Sequence, residues 1–247
     1  MKLFSSGNKQ NIRGFTLVEL SIVIVIIGLI VAGVVGGQAL VRQANLKAVM
    51  AEVNQYRVAI NTFKLEYNYI PGDIPNAFAY WGSQNGCTNS IVVSHISNPN
   101  GCNGDGDKRI NHWGGEAYRA WQHLALADII PGSYTGIAYT GNGNAEIGIT
   151  VPASKRSNTG FILGTNSITA GGQRGGPATA KTFTPKDVLG LDTKYDDGVA
   201  GSGIFRGRDG QAGGNNPYLA ITAGVCLNAG EYDLTRDSPE CNFIYIF

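Results

Sequence analysis

Three groups of residues in this 247-residue chain have types and spacings that could do chemistry. The first is a lone carboxylate, Glu19, inside an apolar stretch that otherwise runs from Phe15 to Val41. The second is four cysteines, Cys87, Cys102, Cys226 and Cys241, falling in sequence order into two pairs each 15 residues apart. The third is two acid-rich segments, Asn103-Gly104-Asp105-Gly106-Asp107 and Asp192-Thr193-Lys194-Tyr195-Asp196-Asp197.

Glu19 is the anomaly. A carboxylate at mid-bilayer costs on the order of 2.5–3.5 kcal/mol, less near the interface. It calls for a positive partner, and the uncut chain offers only Arg13 nearby. A cut between Gly14 and Phe15 would place a free α-amine four residues before Glu19. The acid would then sit in the first turns of a helix, where the dipole favours it. In a bundle it could also meet the α-amine of a neighbour.

The cysteines read as disulfides, since an even count on the exported side of a membrane anchor favours bridges over free thiols. The order suggests Cys87 with Cys102 and Cys226 with Cys241, and the other two connectivities stay open. Each 15-residue loop would contribute roughly 3 kcal/mol. Zinc is disfavoured, because there is no C-x₂-C and His95, His112 and His123 are scattered.

Asn103, Asp105 and Asp107 place oxygens at alternate positions, as the start of a calcium loop does. Lys108 and Gly114 break that pattern, standing where the loop wants Gly and a bidentate acid. An Asx-rich turn satisfied by its own side chains is the alternative. Asp192, Asp196 and Asp197 are three carboxylates in six residues, which repel unless a cation or Lys194 offsets them. Calcium at either segment is therefore an expectation, set against a solvated helix end.

These groups need elements to hold them. From Leu20 to Val41 there are 22 residues without a charged side chain. Twenty helical residues span ~30 Å of hydrocarbon, so the segment from about 15 to 41 is long enough to cross a bilayer. The flank before it carries Lys2, Lys9 and Arg13 and no acid, which keeps that side cytoplasmic. An ordinary secretory signal has a shorter apolar region and a small-residue cleavage site.

The apolar run continues without a breaker into an amphipathic stretch. Leu46, Val49, Val53, Tyr56, Ile60, Phe63 and Tyr67 alternate in steps of three and four, a helical stripe. The reading is one helix from Phe15 to about Glu66, ending at Pro71 and Pro75. Gly28, Gly33, Gly36 and Gly37 would permit close helix contact in apolar surroundings.

Gly14-Phe15-Thr16-Leu17-Val18-Glu19-Leu20, behind a short basic leader and before a long apolar helix, resembles the class III signal of type IV pilins and type II secretion pseudopilins. That resemblance implies an α+β, type IV pilin-like fold: a long N-terminal helix, its first half membrane-spanning, packed on a C-terminal antiparallel sheet. It implies a leader at 1–14, a helix at 15–69 and a head at 70–247. It also implies that a prepilin peptidase cuts after Gly14 and methylates Phe15, and that Glu19 is needed for docking into the filament. Partners would be the inner membrane, other pilins or pseudopilins, the assembly platform with its ATPase, and a secretin. The chain would be a single-pass inner-membrane protein with its head in the periplasm, later part of a filament there or at the cell surface. Many pilins close a C-terminal loop with a disulfide, which agrees with Cys226 and Cys241. Pseudopilins often hold calcium in a head loop, and the segment around Asp192 looks like one common in large pilin-like heads. A membrane-tethered minor pilin whose head serves adhesion or DNA uptake is the alternative function.

Within the head, Glu116–Ile130 reads as a short helix, and Thr184-Pro185-Lys186-Asp187 as the start of another. Tyr134–Thr140 and Glu146–Val151 read as a hairpin around Gly141-Asn142-Gly143-Asn144. Gly160–Leu163, Tyr218–Cys226 and Asn242–Phe247 read as strands, and Ala170–Gly176 as a flexible loop. Gly supplies 35 residues, about twice the usual ~7% share, mostly in this loop-rich head.

Several functions are disfavoured. A formal charge of +1 lacks the Lys and Arg surplus of a nucleic-acid binder, so none is expected as a partner. There is no G-x-S-x-G, H-E-x-x-H or P-loop, so enzyme activity is not expected. Trp81, Trp113, Tyr118 and Tyr139 could stack on ligands but read mostly as core.

Overall fold

The computed structural model describes residues 14–91, 101–110, 115–137, 145–156, 158–171, 181–210 and 226–247. The chain forms two compact units, one reaching to Ala44 and one starting at Asn45. The boundary between residues 69 and 70 marks the end of the long helix, while the two units divide within it, the helix residues after Asn45 packing with the head.

Helix α1 spans Leu17–Tyr67, 51 residues, close to the expected Phe15–Glu66. In the first unit its apolar side chains are exposed, among them Leu17, Ile24, Leu29 and Leu40. It is the one helix among the described residues long and apolar enough to cross a membrane. It ends at Asn68, which takes a left-handed φ of 57° and donates its amide to the Lys64 carbonyl.

In the second unit the 3,4 stripe on α1 forms part of the core. Val49, Val53, Ile60 and Phe63 are buried, while Leu46, Tyr56 and Tyr67 pack at its margin. The elements that follow are α2 (Ala77–Trp81), β1 (Thr88–Ile91), β2 (Gly101–Asn103), α3 (Glu116–Leu126), β3 (Gly160–Gly164), β4 (Ser167–Gly171), α4 (Pro185–Tyr195), β5 (Phe205–Asp209), β6 (Leu227–Asn228), β7 (Glu231–Tyr232) and β8 (Cys241–Ile246). The main sheet has the order β3-β4-β8-β5, with every pairing antiparallel. The architecture is thus α+β, a long N-terminal helix with a C-terminal antiparallel sheet.

The chain's own stripe explains how α1 joins the head. Tyr56 sits edge-on to Trp121 of α3 at 4.8 Å and to Phe161 of β3 at 5.1 Å. Phe63 stacks on Tyr67 at 4.5 Å. The half-buried charges of α1 also turn toward the head. Glu52 accepts from Ser154 Oγ and from the Lys155 amide. Arg57 donates to the Tyr245 hydroxyl at 3.2 Å, and Lys64 lies over the Phe247 ring at 5.6 Å. The exposed residues of α1 between Ala48 and Leu65 are Ala51, Gln55, Val58, Asn61, Thr62 and Leu65, all uncharged, with exposed Lys47 and Glu66 directly on either side.

Local signals explain the shorter elements. Thr184 caps α4: its hydroxyl accepts from the Asp187 amide while the Asp187 carboxylate accepts from the Thr184 amide, with Pro185 at the first position. The β6–β7 hairpin turns on Ala229 and Gly230, both at positive φ (52° and 89°), as a primed two-residue turn requires. Two expectations need correction. Ala170 and Gly171 belong to β4 rather than to a loop, because Ile168 and Ala170 bury one face of a strand that is paired on both sides. Among the described residues of 134–137 and 145–151 there is no hairpin strand, only a bridge of Ile147 with Val151 and a bond from the Thr135 amide to the Ile149 carbonyl. The turn at 138–144, the rest of the Ala170–Gly176 segment and most of the Tyr218–Cys226 strand lie outside the described residues.

Candidate functional site

The N-terminal signal is built on the start of α1. Gly14, Phe15 and Thr16 precede the helix and are exposed, Phe15 to 88%. The Gly14–Phe15 bond therefore lies in non-helical backbone. Thr16 Oγ1 accepts from the Glu19 amide at 3.2 Å. The Thr16 amide and hydroxyl both donate to Glu19 Oε2, at 2.9 and 3.0 Å. Thr16 and Glu19 thus form a capping box on the first turn of a membrane-length helix. The acid answers the Thr16 amide and sits at the positive end of the dipole.

The cysteines pair as Cys87–Cys102 and Cys226–Cys241, with Cα atoms 5.3 and 5.0 Å apart. Cys226–Cys241 closes a loop containing the β6–β7 hairpin onto the first residue of β8. Cys102 lies in β2, and its carbonyl contacts His123 Nε2 at 3.0 Å. His123 Nδ1 accepts the Gly72 amide at 2.9 Å, so Nε2 carries the proton and donates. Complete burial lowers its pKa to about 3, which keeps it neutral. His123 therefore joins α3 to β2 and to the segment after α1. His95 and His112 lie outside the described residues.

The first acid-rich segment folds around a residue the sequence reading did not include. Asp73 is buried, and its carboxylate accepts the Gly106 amide at 2.7 Å and the Lys108 amide at 2.9 Å. One carboxylate oxygen from each of Asp73, Asp105 and Asp107 lies within 4.8 Å of the other two. The Asn103 side chain accepts the Phe78 amide at the start of α2 and donates to Asn89, so its polar atoms are engaged there. Glu116 accepts the Asp105 amide at 3.3 Å. Burial raises the Asp73 pKa to about 6; the Gly106 and Lys108 amides oppose that rise, and Asp105 and Asp107 add to it. Asp73 left no signal in the periodic spacing, because it lies 30 residues before Asn103 in the turn after α1. A lone acid between Pro71 and Pro75 was the available hint.

The second segment brings Asp192, Asp196 and Asp197 together as expected, again with one oxygen each within 4.8 Å. They stand at the C-terminal end of α4, where the dipole adds negative potential. Asp192 accepts the Gly198 amide at 3.0 Å and the Tyr232 hydroxyl at 2.5 Å. Burial raises its pKa, against the pull of those two bonds. Asp196 accepts the Phe205 amide. Asp197 accepts the Ser202 hydroxyl and the Val199 amide, which lower its pKa. Both clusters offer only oxygen donors, a set that suits a hard cation such as calcium and not zinc.

Trp81 and Tyr118 are core residues, while Trp113 and Tyr139 lie outside the described residues.

Residues 9–35 match the family model for the prokaryotic N-terminal methylation motif. That motif is the prepilin-type cleavage and methylation signal of type IV pilins and pseudopilins. No curated protein and no solved structure matches the chain.

Proposed function

We propose that the chain is a structural subunit, a pilin, minor pilin or pseudopilin, that assembles through α1 into a type IV pilus or type II secretion pseudopilus. The methylation motif, set directly on a 51-residue helix whose first half exposes apolar side chains, carries this reading. The precursor waits in the inner membrane with its head in the periplasm. Prepilin peptidase hydrolyses the Gly14–Phe15 bond and methylates the new α-amine of Phe15. The apolar half of α1 then exchanges lipid for neighbouring helices, and an assembly platform with its ATPase extends the filament. Glu19 supplies the carboxylate for docking. The chain acts mechanically and not as an enzyme.

Between exposed Lys47 and Glu66, the outward face of α1 at Ala51, Gln55, Val58, Asn61, Thr62 and Leu65 is uncharged over about four turns, which supports the same reading. An outer helix face exposed only to water ordinarily carries charge. Glu19→Ala tests the proposal. The variant should be cleaved normally yet be missing from sheared filaments. Normal incorporation would remove Glu19 from the mechanism.

Calcium forms the second part of the proposal. Asp73, Asp105 and Asp107, or Asp192, Asp196 and Asp197, would supply oxygens to the ion, and the ion would offset their mutual repulsion. A chelator that leaves the head's thermal stability and protease resistance unchanged would refute it.

A further inference from the structure

The bonds at the start of α1 do more than cap a helix. A glutamate side chain left to itself samples several staggered rotamers. Here the Thr16 amide and hydroxyl converge on one oxygen, Glu19 Oε2, at 2.9 and 3.0 Å. The carboxylate is turned back over the helix N-terminus, toward the non-helical residues that hold the Gly14–Phe15 bond. Glu19 lies in the first turn of an apolar helix, with Leu17, Val18 and Leu20 exposed around it. In such surroundings a carboxylate without donors is costly, and two donors from its own chain answer that cost before any partner arrives.

We infer that Thr16 is a positioning residue: its hydroxyl holds the Glu19 carboxylate at the helix N-terminus, in place for docking. This rests on the subunit reading above. Thr16 has two separable roles. As a cap it accepts the Glu19 amide. As a positioning group it donates to the Glu19 carboxylate. Aspartate caps as well as threonine but cannot donate, and it brings a like charge.

Full-length variants in the producing cell separate the two roles. The quantity read is cleaved subunit in sheared filaments divided by cleaved subunit left in the membrane. Thr16→Ser should equal wild type. Thr16→Val, nearly isosteric without the hydroxyl, loses both the cap and the donor and should lower the ratio at least about fivefold, the size of one net side-chain hydrogen bond. Thr16→Asp should fall at least as far although it keeps the cap. A wild-type ratio in Thr16→Val or in Thr16→Asp would overturn the inference, as would a Thr16→Ser ratio as low as that of Thr16→Val. Because the ratio counts only cleaved chains, a wild-type chain that is never cleaved would instead refute the subunit reading and the role of Thr16 with it.

Discussion

Two residues on one helix turn of α1 should respond in opposite ways to mutation. Phe63 is fully buried, stacked on Tyr67 and facing His123 at 6.4 Å between ring centres. Leu65, two positions on, is 88% exposed. Truncating a buried phenylalanine to alanine costs about 3–5 kcal/mol, the lost transfer energy plus the cavity left behind. The head unit runs from Asn45 to Phe247, so its unfolding entropy is on the order of 0.4 kcal/mol/K at ~2.1 cal/mol/K per residue. Phe63→Ala should therefore lower the head's Tm by about 7–12 °C. Leu65→Glu should stay within about 0.5 kcal/mol, a shift of a degree or so. The proposed docking role for the outer face reverses the order in cells: Leu65→Glu, stable and cleaved, should be depleted from filaments. Thermal melts followed by circular dichroism on the full chain in detergent measure the first effect, and shearing measures the second. A Phe63→Ala protein that melts like wild type would refute the packing of the stripe into the head. A Leu65→Glu subunit incorporated normally would refute the docking role of the outer face.

Three further outcomes follow from the head. Replacing Cys226 and Cys241 together by alanine should cost about 3 kcal/mol in the chain-entropy account, or some 7 °C, read in the same melts under oxidising conditions. Asp73 has its pKa raised to about 6 against an ordinary 3.8, so the folded head binds the extra proton in that window. Its contribution to stability is most favourable below about pH 4 and is lost as pH rises toward 6. Added calcium should therefore raise Tm more at pH 7 than at pH 4.5, and Asp73→Asn should shrink that difference. Gly104→Ala should destabilise the head by more than 1 kcal/mol, because the added Cβ would run into the Asp73 backbone. Denaturant titration checks it.

How far the sequence reached depended on whether a feature was local. The span of α1 and its buried face were legible because Val49, Val53, Ile60 and Phe63 repeat with the helix. The start of α4 was legible because Thr184, Pro185 and Asp187 each satisfy a nearby backbone group. Strand β4 escaped notice because Ser-Ile-Thr-Ala-Gly is a weak alternation whose burial comes from two partner strands. Asp73 escaped because its neighbours Asp105 and Asp107 reach it through a fold that closes over 32 and 34 residues of chain. Spacing aligned Asn103 with the acids but said nothing of the Phe78 amide that its side-chain oxygen accepts. The Thr16–Glu19 box is written in the sequence as T-x-x-E, a spacing that implies a cap without showing that the threonine hydroxyl also donates to the carboxylate.

Intact-mass and N-terminal peptide mass spectrometry of the chain from its producing cell tests the account most directly. The account predicts loss of residues 1–14 and a mature N-terminus of N-methylated Phe15. A chain that keeps its leader, or one cut beyond residue 30, would contradict it.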